Sequence, residues 1–191
     1  MSIAYRVALL IHIAAVLAAI SASTMLHFAH RQTRAAGTPA AALRWHRLSA
    51  RTSVVFPIVL VVLLVTGGYM VSSTWTWRTG WVNAGLLGLA FLFVNGVRLG
   101  KAGRALAGDL AKAASSGTGV ELLAAPMRRA DAAGWANTGV ALGVVVAMTT
   151  KPGLVGALAL VVLGGLVAAY VGPRPVLASA RSEEMMSGEA A

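Results

Sequence analysis

The chain has no cysteine, so it carries no disulfide framework, no thiolate nucleophile and no cysteine ligand for zinc or an iron–sulfur cluster. Charge is scarce as well: Asp, Glu, Lys and Arg make up 12% of its 191 residues, against roughly 25% in a soluble domain. Carboxylates are the rarest charge, six against sixteen basic side chains, for a formal net charge of +10. All six (Asp109, Glu121, Asp131, Glu183, Glu184 and Glu189) fall outside the long apolar runs. That placement removes three classes of function. Ion-coupled carriers and proton relays keep ionisable groups within the bilayer, glycoside hydrolysis needs two carboxylates at one site, and intramembrane Ser-His-Asp catalysis needs an aspartate.

What the chain has in abundance is apolar length. Hydrophobic residues reach 58% and mean hydropathy is +0.76, more than a soluble core can bury, so the bilayer is the natural solvent. A span needs about 20 mainly apolar residues. Residues 3–29, 52–71 and 81–97 each supply one. Residues 135–171 are too long for one crossing, and Lys151-Pro152-Gly153 interrupts them with a charge, a missing amide donor and a turn former. This divides the stretch into spans at 135–150 and 154–171, the former beginning its helix near Met127. The expected fold is an all-α polytopic transmembrane bundle of five spans over residues 1–176, with a disordered cytoplasmic tail at 177–191. Span one is read as retained rather than as a cleaved signal peptide, because its apolar character continues to Phe28 and its basic residues follow it.

Charge distribution sets the expected orientation. Thirteen of the sixteen basic residues lie in the 30–51 connection, the 98–134 connection or the tail, and only Arg6, Arg78 and Lys151 lie on the other side. The positive-inside rule then places the N-terminus outside and the C-terminus in the cytoplasm. Trp75, Trp77 and Trp81 cluster at the outer end, as an aromatic belt would. The positive charge thus reads as a topology signal and an attraction to anionic lipid, not as nucleic-acid binding.

The 98–134 connection carries Leu99, Gly103, Leu106, Leu110 and Ala113 at helical spacing. Two readings stand: an interfacial amphipathic helix, or a cytoplasmic extension of span three. Gly96–Gly100 and Gly139–Gly143 are spaced for close helix approach, either within the bundle or at a seam with a second copy or a partner membrane subunit.

Histidine supplies the candidate site. His12 is the one side chain deep in a span that titrates near neutral pH. At 100° per residue it shares a face with Val16, Ala19, Ser23 and His27, and His30 returns to the same angle. That face should look into the bundle. His12 and His30 lie about 27 Å apart along the axis and cannot share one ion. On the outer side His12 could meet Met70, Met148, Tyr69 or Lys151. Imidazole with thioether suits Cu(I), and His/Met pairs suit haem iron. On the inner side His27 or His30 could approach His46 as weaker metal ligands. The alternative for His12 is an interhelical hydrogen bond, and for the inner histidines an interfacial cluster. Lys151 is either a snorkelling cation or an anion contact.

The order of these elements carries a resemblance. Leu10-Ile11-His12-Ile13, Arg47-Leu48, a Pro-containing second span ending Val65-Thr66-Gly67-Gly68-Tyr69, Gly80-Trp81, and Thr150-Lys151-Pro152-Gly153 follow one another. The pattern resembles an uncharacterised family of bacterial integral membrane proteins with a late Lys-Pro-Gly turn. More distantly it is similar to the membrane domain of copper-resistance protein D and to HemJ-type protoporphyrinogen oxidases. The latter resemblance implies haem b held by a span-one histidine, which His12 matches. The oxidase pattern has a lysine three residues after the third-span tryptophan, where this chain has Ala84, and a tryptophan soon after the histidine, where it has Ala18 and Ala19. The resulting expectation is a multi-pass protein of the bacterial cytoplasmic membrane, non-catalytic or accessory, with haem b or copper at its histidine face. A HemJ-like oxidoreductase acting on a porphyrin and a copper permease are the alternatives.

Overall fold

The structure is a computed structural model, and it describes residues 2–117 and 123–172. It contains six helices and, among the described residues, no strand: α1 (Ile3–Ala35), α2 (Pro39–Ser53), α3 (Val55–Thr74), α4 (Gly80–Ser116), α5 (Ala124–Thr150) and α6 (Leu154–Val171). With α2 and α3 taken as one run, five helical segments are long and apolar enough to cross a membrane, as a multi-pass membrane protein requires. The 177–191 tail lies outside the described residues.

Local chemistry explains the breaks. Ser2 caps α1 by accepting a hydrogen bond from the Tyr5 amide at 3.2 Å. Gly37 ends the first hairpin arm, and Thr38-Pro39 starts the second, with the Thr38 hydroxyl accepting from the Ala41 amide. α2 stops at Ser53 because Pro57 has no amide to offer the Ser53 carbonyl. Meanwhile the Ser49, Thr52 and Ser53 hydroxyls donate to carbonyls three or four residues back, which bends a helix. The chain re-enters helix at Val55 as α3. At the other end of the bundle Lys151 closes α5 in the left-handed conformation (φ 49°, ψ 48°), its amide donating to the Ala147 carbonyl at 2.9 Å. Pro152 and Gly153 then lead into α6.

Two helices run well past the bilayer length the sequence suggests. α4 is continuous from Gly80 to Ser116, about 55 Å at 1.5 Å per residue, against a hydrocarbon core of about 30 Å. Residues 98–116 are therefore an extension of span three rather than a separate interfacial helix. Their apolar face packs on α2 and α5: Leu106 and Leu110 join Ala42 and Met127 in one buried cluster. α5 likewise begins at Ala124. Together with the end of α1 and with α2, these segments form a four-helix extension. It is called here the basic end; the end bearing Trp75, Trp81 and Lys151 is the tryptophan end.

Close backbone approach holds α5 to α6. A Cβ on Gly139 would overlap the Gly164 carbonyl, and one on Gly143 would sit 2.5 Å from the Leu160 carbonyl. Glycine is required there because lipid supplies no hydrophobic drive and van der Waals contact must do the work. Gly96 and Gly100 are different: nothing lies within 4 Å of the first, and only the Arg104 side chain approaches the second. One small-residue pair serves the fold, and the other faces outward.

Candidate functional site

The histidine-bearing face of α1 turns inward. His27 is buried and His12, Val16, Ala19, Ser23 and His30 are partly covered, while Leu10, Ile13 and Leu17 on the opposite side are exposed. Two polar layers follow along this face, one near each end.

Toward the basic end, α1 and α5 run antiparallel and match residue for residue. Ser23, His27, His30 and Arg34 recur at helical spacing on α1, and Asp131, Trp135 and Thr138 do so on α5. The Thr138 hydroxyl lies 2.8 Å from Ser23 Oγ and 2.8 Å from His27 Nε2, and 3.3 Å from the Gly134 carbonyl. Thr138 has one proton and two lone pairs. Donation to Gly134 with acceptance from Ser23 and His27 uses all three. The His27 ring stacks on Trp135 with centroids 3.8 Å apart and planes at 12°. One turn further, Arg34 Nη1 meets Asp131 Oδ2 at 2.7 Å. His30 Nδ1 stands 3.9 Å from Asp131 Oδ1, beyond hydrogen-bond range. Among the described residues, Asp131 Oδ1 and His27 Nδ1 are buried without a hydrogen-bond partner. His46, on α2, donates from Nε2 to the Gly103 carbonyl at 2.8 Å, since a carbonyl can only accept. Asn95 extends the polar layer onto α4, donating to Asn137 Oδ1 at 2.7 Å.

Near the tryptophan end, His12 Nδ1 lies 2.8 Å from Thr66 Oγ1. The single Thr66 proton goes to the Val62 carbonyl at 2.6 Å. Thr66 therefore accepts, and His12 donates from Nδ1–H. In the neutral ring Nε2 then carries the lone pair, the arrangement in which histidine binds metals. The ring packs against Gly67, where a Cβ would stand in ordinary contact, 3.4 Å from His12 Cε1. The same α1–α3 seam holds an open apolar groove of about 420 Å³, walled by Ala8, Ile11, Thr66 and Tyr69.

The other candidates separate. Met70 stands on the face of α3 that carries Thr66, one turn nearer the tryptophan end. Met148 packs elsewhere, in the Val140–Val144–Val161 cluster and close against Gly85 of α4. Among the described residues no three of His, Asp and Glu gather as donors for one metal ion; His27 bonds Thr138 and His46 bonds the Gly103 carbonyl, with His30 near both. The Lys151 ammonium lies 4.4 Å from the Trp75 ring centroid, and Trp75 meets Trp81 edge to face. Lys151, Pro152 and Gly153 are thus a helix stop with a cation–π contact.

The sequence does not disclose the Asp131–Arg34 pair, because Asp131 lies outside the apolar runs and its partner is on another helix. The signal in Asp131 itself is its helical spacing to Trp135 and Thr138. No protein-family model matches the chain, and it matches neither a curated protein nor a solved structure.

Proposed function

We propose that the chain is a non-catalytic, accessory protein of the bacterial cytoplasmic membrane, with its N-terminus outside and its basic end in the cytoplasm. In this reading His12 supplies the nitrogen ligand for a haem or a soft metal ion. The observation that carries it is the hydrogen-bond chain from His12 Nδ1 through Thr66 to the Val62 carbonyl, which leaves Nε2 as a lone-pair donor. Ligating histidines are held in this way by a second partner on the other nitrogen. Met70 is the thioether best placed to complete a His/Met pair, which suits both haem iron and Cu(I).

Binding is favoured over porphyrin oxidation by Ala84. It is fully buried against Ala147 and Ala157, so the position where the oxidase pattern has a lysine is packed with methyl groups.

The test is an absorption spectrum of the detergent-purified protein, as isolated and after titration with haem b, with elemental analysis for copper. The expected result is a Soret band or bound copper in the wild type, lost in His12→Ala and kept in His27→Ala. Such interhelical hydrogen bonds contribute only about 0.6 kcal/mol on average, so His12→Ala should remain folded. A colourless, metal-free protein that takes up neither ligand contradicts the reading.

A further inference from the structure

We propose that the basic end carries a collar of cations that binds the phosphates of anionic phospholipids in the adjoining leaflet. The proposal rests on the membrane-spanning reading and is independent of any ligand at His12.

The collar is defined by height. From Gly80 to Arg98, α4 rises about 27 Å, close to the thickness of the hydrocarbon core. α6 ends at Val171 and α3 begins at Val55, with Trp135 of α5 in contact with Gly172 at the end of α6. These residues mark one boundary plane. Within about 9 Å beyond it, a distance comparable to the headgroup layer, stand Arg51 on α2, Arg98, Lys101 and Arg104 on α4, and Arg129 on α5. All five are exposed.

No protein charge balances them among the described residues. The only described carboxylate in the band is Asp131, and it is 1% exposed and paired with Arg34. Asp109 lies eleven residues past Arg98, about 16 Å further along α4. Three helices therefore present like charges at one level, and the counter-charge is left to the solvent side. Phosphodiester headgroups occur at that level and carry the complementary sign. The Phe28–Trp45 edge-to-face pair, with Phe28 46% exposed, adds an aromatic anchor at the same rim between α1 and α2.

The experiment compares thermal unfolding of the full chain in nanodiscs of pure phosphatidylcholine and of phosphatidylcholine with 30% phosphatidylglycerol. The expected result is a midpoint roughly 2–4 °C higher with phosphatidylglycerol, largely lost at 0.5 M salt because exposed pairs are screened. The Arg98→Gln/Lys101→Gln variant should lose a substantial part of the shift. Arg44→Gln/Lys112→Gln, beyond the collar, should keep it. Inorganic phosphate or a duplex DNA oligomer added to the phosphatidylcholine discs should give no rise. Equal midpoints in the two lipid compositions overturn the proposal. So does a shift that survives high salt, a shift unchanged in the collar variant, or a larger response to phosphate or DNA than to the lipid. A missing Soret band with the lipid shift intact would remove the ligand proposal and leave this one standing.

Discussion

Asp131 shows how one buried charge organises a seam. Its carboxylate is held by Arg34 across two helices, and removing one member of such a pair leaves the other without its partner. Asp131→Ala should lower stability by about 2 kcal/mol, read as a fall in the detergent unfolding midpoint. Conversion of Arg34 as well, in Arg34→Met/Asp131→Met, should recover most of the loss. A double variant as unstable as the sum of its singles would mean that the pair does not couple α1 to α5. The histidines on the same face are legible as a set because 12, 27 and 30 keep one angle on a helix. What each would touch is not, since partners such as Thr66, Thr138 and the Gly103 carbonyl come from other helices and carry no local signal. The tautomer of His12 in particular depends on where the Thr66 proton goes, which only the structure reveals.

At the scale of elements, the two connections at the tryptophan end rest on one another. Lys151 adopts the left-handed conformation, which costs a residue with a Cβ roughly 1–2 kcal/mol, and glycine is the usual occupant at this position after a helix. Its ammonium recovers part of that cost over Trp75. Lys151→Gly should therefore change stability by less than about 1 kcal/mol, because relief of strain offsets the lost cation–π contact. Lys151→Ala loses the contact and keeps the strain, so it should be the less stable of the two by about 1 kcal/mol. Chemical or thermal unfolding of the pair decides this, and the reverse order would contradict the assigned backbone role. The α5–α6 crossing makes a sharper contrast. Gly139→Leu should prevent the close crossing and cost more than about 3 kcal/mol, whereas Gly96→Ala, in open space, should be nearly neutral. Element boundaries were readable where the chain chemistry was abrupt, as at Lys151-Pro152-Gly153. They were unreadable at α2, where the Thr38-Pro39 start was hidden in a run of arginines that read as a loop, and along α4, where apolar character fades while helical continuity does not.

Across the whole molecule, the helices sort into an α1–α3 pair and an α4–α5–α6 group, with α3 touching α4 only sparingly. The two are joined toward the basic end, where α1 meets α5 and α2 meets α4. Leu142, one turn past Thr138 toward the tryptophan end, is 50% exposed, so the α1–α5 seam opens in that direction. This places the polar fastening of the bundle and the His12 nitrogen in different surroundings. His27 and His46 each give one nitrogen to a hydrogen bond between helices near the basic end, and His12 gives its Nδ1 to Thr66 on the seam beside the apolar groove.

All of this depends on how the chain is threaded. Because the protein has no cysteine, single reporters can be introduced without background, at Thr76 in the tryptophan-end loop and at Gly37 in the basic-end hairpin. Labelling of intact bacterial cells with a membrane-impermeant maleimide should modify Thr76→Cys at once and Gly37→Cys only after permeabilisation. Equal labelling of both in intact cells, or labelling of Gly37→Cys alone, would contradict the account.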